Sequence, residues 1–288
     1  MIKDVIKLIK PKHHVKNLVV LIPLIFSLKF LNLTSTLHAF IAMIAFCLVV
    51  SAVYVFNDII DVDSDKLHPI KKFRPIASGK VGLKLAWSLM FTLVFWAFVL
   101  SLTLNLYVFL SVFAYLILNI WYSLQLKYLP IIDVMCIALG FILRILAGCG
   151  AILVIPSPLV ILLTFFTSMF FTFSKRKMEY SLLQDKNNCR KSIKEYNEEV
   201  LNHYVSINAI LSIAFYFTYM LDPQLIARAN TPYLYITVIP FAMIIFRLLL
   251  KVYTCTSTDD PADFIYKDKT FVVLSLIFLL ILFILLIA

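Results

Sequence analysis

The sequence YVFNDIIDVDSDKLHPIKKFRPIASGKV, residues Tyr54–Val81, changes from apolar to strongly charged within a few residues. Asn57, Asp61 and Asp65 are spaced four residues apart, and Asp58 lies seven residues before Asp65. On a helix these four side chains share one face, where like charges repel. A bound cation would relieve that repulsion, and carboxylate and amide oxygens are hard ligands that suit Mg²⁺. The pattern therefore predicts a magnesium site, with a solvated helix end as the alternative.

A basic run follows this acidic face and includes Lys72 and Arg74. A diphosphate needs both features, because a metal ion neutralises part of its charge while Lys or Arg binds the remaining oxygens. The stretch therefore predicts a diphosphate site with Mg²⁺ as cofactor.

The whole chain is apolar, with 62% hydrophobic and 15% charged residues among 288 and a mean hydropathy of +0.96. Apolar runs of about twenty residues recur along it, which predicts an all-α polytopic membrane protein and excludes a soluble domain. The five cysteines form no CxxC pair, so neither a disulfide framework nor a zinc site is expected. We place nine spans at residues 15–31, 37–57, 84–104, 106–124, 131–150, 158–174, 203–221, 232–252 and 270–288.

The net charge of +10 is concentrated on one set of connections between the spans. The positive-inside rule then places the N-terminus and the loops 58–83 and 175–202 in the cytoplasm, and the C-terminus on the opposite side. Such a cationic face attracts anionic lipids and phosphorylated ligands. On a helix, residues 1–10 place apolar side chains on one face and lysines on another, which predicts an amphipathic helix at the membrane interface.

Two groups of polar residues at span ends are candidate phosphate ligands. Lys12, Lys16 and Asn17 lie at the entry of the first span, where ordinary flanking charge is the alternative. Lys175 and Arg176 belong to three successive cations at the exit of the sixth span, where a topology signal is the alternative.

Arg144 lies deep inside the fifth span, eleven residues after Asp133 and so on the same helical face. An arginine at such a depth normally faces the bundle interior or a wet cavity, which predicts a functional role. The alternative is a structural pair with another buried polar group.

The segment NDIIDVDSD, Asn57–Asp65, resembles the NDxxDxxxD signature of the UbiA-type superfamily of intramembrane prenyltransferases. Within it the chain most resembles the decaprenyl-phosphate phosphoribosyltransferase branch. The segments that support this are PKHHVKN at 11–17, HPIKKFRPIASGKV at 68–81, YSLQLKYLPIIDV at 122–134, GFILRILAG at 140–148 and SKRKMEY at 174–180. The second aspartate-rich DxxxD motif of aromatic prenyltransferases is absent after the sixth span, where KRKxE stands instead.

The resemblance implies one transmembrane domain over residues 1–288, a bundle of nine helices whose central cavity faces the cytoplasm. It implies transfer of 5-phosphoribosyl from 5-phosphoribosyl 1-diphosphate to a polyprenyl phosphate, with release of diphosphate, at a bacterial inner membrane in cell-wall biosynthesis. The alternatives are transfer of a prenyl group from a prenyl diphosphate to a small acceptor and, without catalysis, transport of a phosphorylated metabolite. The expected partners are the two substrates and the membrane, not nucleic acid, and a homo-oligomer is left open.

The resemblance also implies roles for single residues. The catalytic residues are Asp58, Asp61 and Asp65, and the Mg²⁺ ligands are these three and Asn57. The phosphates of the donor would be bound by Lys72, Arg74, Lys127, Lys175 and Arg176. Either phosphate, of donor or acceptor, would be bound by Lys12, Lys16, Asn17 and Arg144. The ribose or the cations would be oriented by Tyr122, Asp133 and Glu179.

Overall fold

The computed structural model describes residues 2–68, 70–181, 195–254 and 268–287, and its regular elements over these ranges are helices. The α-helices within them are α1 Ile2–Leu8, α2 Ile22–Phe26, α3 Leu33–Ile60, α4 Val62–Leu67, α5 Leu83–Leu104, α6 Leu106–Leu124, α7 Ile132–Ala151, α8 Pro158–Ser181, α9 Glu198–Met220, α10 Pro223–Ala229, α11 Val238–Thr254 and α12 Lys269–Ile287. Short 3₁₀ helices occupy Pro11–Leu21, Lys29–Leu31, Lys71–Phe73, Leu126–Tyr128 and Tyr233–Thr237.

In the described part of the chain, 8 helices are long and apolar enough to cross a membrane: α3, α5, α6, α7, α8, α9, α12 and the joined segment Tyr233–Thr254. The predicted class, an all-α polytopic membrane protein, is confirmed. The first predicted span, 15–31, is instead a shorter apolar stretch, His13–Phe26. It runs from the 3₁₀ helix Pro11–Leu21 into α2, which ends before Leu28, a residue with a left-handed φ of 57°. The count of nine spans therefore stays a prediction.

Residues Met1–Leu124 and Leu143–Ile155 form one compact unit. Its central element is α3, which packs against α5, α6 and the 3₁₀ helix Pro11–Leu21. Ala39, Ala42 and Ala45 are fully buried along α3 and allow neighbouring helices to approach closely. The 28 residues of α3 span about 42 Å, some 12 Å more than a hydrocarbon core of about 30 Å. The excess length allows the polar last turns of α3 to reach the headgroup region.

Residues Gln125–Ile142 and Pro156–Ala288 form a second compact unit. In it α8 packs along α9, with Phe170, Phe173 and Leu201 buried at the contact, and α11 packs on α9 and α12. The N-terminus of α9 is capped by Asn197, whose side chain accepts a hydrogen bond from the Val200 N–H. The prediction of one domain over the chain is left as a prediction.

The predicted loops contain more helix than expected. Residues 58–83 begin in the last turn of α3 and include α4. The segment assigned to a loop from 175 is helical through Ser181, because α8 continues past its three cations. Arg176 and Lys177 are buried there, and the ion pairs that compensate Arg176 offset the cost of placing its charge inside. Residues 182–194 lie outside the described ranges.

Candidate functional site

Two carboxylates of the acidic motif meet at one arginine. α3 ends at Ile60 and α4 begins at Val62, with Asp61 at the junction. Asp58 and Asp65, which we call the acidic pair, have side chains only 1% and 3% exposed. Nη1 of Arg74 donates to Oδ1 of Asp58 at 3.1 Å and to Oδ2 of Asp65 at 2.7 Å. The pair is therefore held together by a shared cation.

Arg74 is positioned by the turn that follows it. The Val81 N–H donates to the Pro75 carbonyl at 3.0 Å, and the chain reverses through Gly79, whose φ of 74° favours glycine. Ile76 and Val81 are buried in a cluster with the α3 residues Val55 and Ile59. This apolar anchor fixes the turn against the same helix that bears Asp58.

A second cation, Lys10, reaches the acidic pair. Its Nζ lies 2.9 Å from Oδ1 of Asp58 and 4.9 Å from the ring centroid of Tyr54. Lys10 lies beyond the end of α1, with a left-handed φ of 49°, immediately before Pro11. Sequence reasoning placed it on the lysine face of an interfacial helix and missed this contact. The αL conformation turns the chain and was not readable from the amphipathic pattern.

The remaining members of the motif differ in surroundings. Asn57 accepts a hydrogen bond from Ser123, which the sequence did not indicate, and Asp61 is half-buried. Asp63 is 89% exposed and pairs with Lys66 at 3.0 Å. Among the described residues, no group of three or more His, Cys, Asp or Glu side chains could hold a metal ion as arranged. The structure thus brings together two of the predicted carboxylate ligands rather than all of them.

Arg144 is buried in the first unit, at the centre of a polar contact. Its Nε donates to Oδ1 of Asn17 at 2.9 Å and its Nη2 to the hydroxyl of Tyr115 at 3.2 Å. The guanidinium carbon lies 4.8 Å from the centroid of the Tyr115 ring and 5.6 Å from that of Phe46. The structure thus groups two predicted phosphate ligands, Asn17 and Arg144.

His14 and Ser51 extend this contact, and neither was a predicted site residue. The Asn17 amide nitrogen lies 3.3 Å from Nδ1 of His14, and Nε2 of His14 lies 3.2 Å from Oγ of Ser51. Ser51 also donates to the Cys47 carbonyl at 2.8 Å. Since the amide nitrogen of Asn17 only donates, Nδ1 accepts and the proton lies on Nε2. The amide orientation itself is set by Arg144, which only donates and therefore faces the amide oxygen of Asn17.

The second unit holds a buried ion cluster of three predicted residues. Arg176 donates from Nε and Nη2 to Oδ2 of Asp133, at 3.0 and 2.9 Å, and from Nη1 to Glu179 at 2.9 Å. Removing one partner of a buried ion pair destabilises the fold by far more free energy than formation of the pair contributes. Asp133 and Glu179 therefore fix the orientation of the Arg176 guanidinium.

Tyr196 adjoins this cluster and was missed at the sequence level. Its hydroxyl accepts a hydrogen bond from the backbone N–H of Ile131, a β-branched residue with an unusual positive φ of 65°. Burial raises the pKa of Tyr196 to about 12, so the phenol stays protonated at neutral pH. Tyr196 thus acts as a neutral hydrogen-bonding group that holds the strained start of α7.

The other predicted ligands differ in exposure. Lys72 is exposed, with Nζ 5.3 Å from the Phe73 ring centroid, and Nζ of Lys127 lies 5.2 Å from that of Tyr128. Tyr122 and Lys175 are half-buried, Lys16 is exposed, and Lys12 lies outside the residues whose side chains are described. Lys177, which was not predicted, is buried with Nζ 3.0 Å from the ring centroid of Tyr253.

Comparison with known proteins gives consistent matches over nearly the whole chain. A model of the UbiA prenyltransferase family matches residues 20–276. Decaprenyl-phosphate phosphoribosyltransferase of Mycolicibacterium smegmatis is 28% identical over 97% of this chain and 90% of its own length. The Corynebacterium glutamicum protein of the same name is 31% identical over 94% of this chain and 83% of its own. A solved structure of a UbiA homologue from Archaeoglobus fulgidus bound to DMAPP and Mg²⁺ has a TM-score of 0.73 at 16% identity, covering 98% of this chain and 99% of that one.

Proposed function

The chain belongs to the UbiA prenyltransferase family, and we propose that it transfers a 5-phosphoribosyl group from 5-phosphoribosyl 1-diphosphate to a polyprenyl phosphate, releasing diphosphate. The observation that carries this proposal is the match, over most of both chains, to two relatives named decaprenyl-phosphate phosphoribosyltransferase. The alternative, transfer of a prenyl group, is supported by the family as a whole. The chain would therefore be an integral-membrane glycosyltransferase of that family.

The acidic motif fits a divalent cation by the chemistry of its donors. Oδ2 of Asp58 is buried and has no hydrogen-bond partner among the described residues, an arrangement that is costly unless a ligand completes it. We assign Mg²⁺ binding to Asn57, Asp58, Asp61 and Asp65, whose hard oxygens suit this ion. Bound there, Mg²⁺ would neutralise charge on the leaving diphosphate.

Arg74 would bind the diphosphate of the donor. Among the described residues, its contacts to the acidic pair use only Nη1, so other N–H groups of the guanidinium can donate to phosphate oxygens. Negative charge grows on the diphosphate as the anomeric bond stretches. A cation held in place by two buried carboxylates therefore stabilises the transition state more than the ground state.

The attacking phosphate of the lipid is already anionic, so this reaction requires no strong general base. Arg144 would bind one of the substrate phosphates through its guanidinium fork. Asn17, a proposed ligand of the same phosphate, orients that guanidinium by accepting from Nε. Arg176, oriented by Asp133 and Glu179, would supply a further fixed cation for the donor. Lys12, Lys16, Lys72, Lys127 and Lys175 remain proposed phosphate ligands, and Tyr122 a proposed contact of the ribose.

The apolar helices and the family make the chain an integral membrane protein. We propose that it lies in a bacterial inner membrane with the N-terminus and the site on the cytoplasmic side, where the water-soluble donor is available. The lipid tail would enter sideways between helices. A homo-oligomer stays a prediction.

A two-donor assay tests the proposed function. Purified protein is given labelled phosphoribosyl diphosphate with polyprenyl phosphate and Mg²⁺ or, in parallel, a labelled prenyl diphosphate with an aromatic acid. We expect label in the lipid fraction only with the first pair, together with released diphosphate. Product from the second pair alone would overturn the proposal in favour of prenyl transfer. Uptake of label into vesicles without diphosphate release would indicate transport.

A further inference from the structure

The N-terminal segment, residues 2–10, is joined to the acidic pair by a flexible cation, Lys10. Its Nζ and Nη1 of Arg74 lie 2.9 and 3.1 Å from the same oxygen, Oδ1 of Asp58. We propose that Lys10 competes with the divalent cation for Asp58, so that metal binding releases the N-terminal segment from α3. This inference rests on the metal site of the proposed function.

The charges of the cluster support a competition. As described, two cations, Lys10 and Arg74, face two buried carboxylates, and half-buried Asp61, the third carboxylate proposed as a ligand, adds one negative charge. A divalent ion at Asp58 would add two positive charges to a poorly solvated site, where an excess of like charge is costly. Loss of one resident cation from the cluster offsets part of that cost.

Lys10 is the cation that can leave. Arg74 bridges both carboxylates and lies on a turn anchored by buried Ile76 and Val81. Lys10 contacts only Asp58 among the described carboxylates, through a long flexible stem, and its backbone has the left-handed φ of 49° that is uncommon for a residue other than glycine. Releasing the Lys10 side chain breaks one ion pair and allows that backbone to relax.

The N-terminal segment is otherwise held to α3 by few contacts. Leu8 is buried beside Val55 and Ile59, and the Ile9 carbonyl oxygen lies 3.3 Å from Oγ of Ser51. Because these contacts are adjacent to Lys10, the loss of its ion pair weakens the hold on the whole segment. By linkage, whatever ion displaces Lys10 must bind more tightly when Lys10 is removed.

Metal affinity in the absence of substrates tests this. Mn²⁺ binding to the full chain in detergent is measured by electron paramagnetic resonance for wild type, Lys10→Met and Lys7→Met. Met keeps an apolar stem without the charge, and exposed Lys7 on α1 is the matched control. We expect Lys10→Met to bind Mn²⁺ about two- to fivefold more tightly, the effect of removing one partly exposed charge, and Lys7→Met to match wild type. Equal affinities in the two variants would overturn the proposal.

Hydrogen exchange provides the second measurement. Adding Mg²⁺ to wild type should speed exchange of the backbone amides between residues 3 and 10, whereas Lys10→Met should exchange fast from the start. Lys10→Arg retains the charge and should behave as wild type does. This control distinguishes an effect of the lost charge from a folding defect. Unchanged protection in wild type would refute release of the segment. Absence of Mn²⁺ binding by wild type would remove the metal site and this inference together, while the two-donor assay on the same preparation tests phosphoribosyl transfer separately.

Discussion

At the scale of single residues, Asp61 and Asp63 have similar chemistry but different surroundings. Asp61 is half-buried at the junction of α3 and α4, between the members of the acidic pair in sequence, whereas Asp63 is exposed and pairs with Lys66. We expect Asp61→Asn to lower kcat for phosphoribosyl transfer by about 10²–10³-fold, the loss typical when one electrostatic stabiliser of a transition state is removed. Asp63→Asn should keep the rate. Both are measured on protein with matched unfolding temperature, and equal loss in both would contradict a specific role for Asp61.

For single residues, the spacing of the acidic motif distinguished buried from exposed carboxylates. Asp58 and Asp65, on the predicted polar face, are buried, and Asp63, which is not on it, is exposed. The spacing did not indicate their partners. Lys10 and Asp58 are 48 residues apart, and their contact depends on the left-handed turn at Lys10 rather than on any local pattern. Tertiary ion pairs and hydrogen bonds are not encoded in helical periodicity, which explains why Lys10, Ser123 and Tyr196 were missed.

At the scale of elements, the closest approach of α7 in the first unit depends on Gly148. A Cβ at this position would lie 2.1 Å from the Val20 carbonyl oxygen and 3.1 Å from Pro23. Because Val20 contributes backbone rather than a flexible side chain, Gly148→Ala must displace the Pro11–Leu21 helix, at a cost of about 1–3 kcal/mol. We expect a lower unfolding temperature in detergent and, since Asn17 lies on that helix, weaker substrate binding.

Gly82 provides the control for this substitution. A Cβ there meets no atom within 4 Å, and the residue caps the N-terminus of α5. Gly82→Ser adds a side chain and a better cap, so its unfolding temperature should equal or exceed that of wild type. If Gly148→Ala were as stable as Gly82→Ser, α7 would not be packed against the backbone at Val20.

The last helix, α12, is joined to α11 by a carboxylate whose charge depends on pH. Asp268, at the N-terminus of α12, accepts hydrogen bonds from the Thr270 N–H and from Nε of Arg247, the latter at 2.9 Å. The hydrogen bond from Arg247 holds the pKa of Asp268 below its ordinary value. A lowered pKa in the folded state means that this stabilisation is present above the unfolded pKa of about 3.9 and is lost as pH falls through the folded value.

Asp268→Asn isolates this charge, because asparagine also caps helices well. At pH 7 the variant should lose up to about 1 kcal/mol of stability, the range for a partly exposed ion pair. The difference from wild type should shrink as pH falls from about 4 and vanish below the lowered folded pKa. Asp222→Asn is the matched control, since Asp222 caps α10 in the same way and has no ion pair among the described residues. The measurement is unfolding as a function of pH, and a difference for Asp268→Asn that grew in acid would contradict the assignment.

Apolar run length predicted most spans well but misjudged two elements for a physical reason. Hydropathy treats Arg176 and Lys177 as breaks, although α8 continues through both because Asp133 and Glu179 compensate the arginine. Nor does hydropathy, which depends on composition alone, distinguish an α-helix from the 3₁₀ helix Pro11–Leu21. Charge compensation and backbone hydrogen-bond pattern are properties of the folded chain.

At the scale of the whole molecule, the topology depends on that 3₁₀ helix. A 3₁₀ helix rises about 2.0 Å per residue, so its eleven residues reach about 22 Å, and the five residues of α2 add about 7.5 Å. The sum is close to a hydrocarbon thickness of about 30 Å, and Lys12 and Lys16 lie in its first turns, where long side chains snorkel to the headgroups. We therefore expect residues 11–26 to cross the membrane although they are too few for a spanning α-helix, so that together with the eight longer spans they place the termini on opposite sides.

Labelling with a membrane-impermeant maleimide tests this topology in spheroplasts, with the native cysteines replaced by alanine. Lys7→Cys and Lys66→Cys, both at exposed positions, should be labelled only after permeabilisation, because the positive-inside rule places them in the cytoplasm. Asn230→Cys, also exposed, and a cysteine added after Ala288 should be labelled in intact spheroplasts. If Lys7→Cys instead labels in intact spheroplasts while Lys66→Cys remains protected, the segment 11–26 does not cross. The N-terminal segment and the acidic pair would then be separated by the bilayer, which the ion pair between Lys10 and Asp58 does not allow.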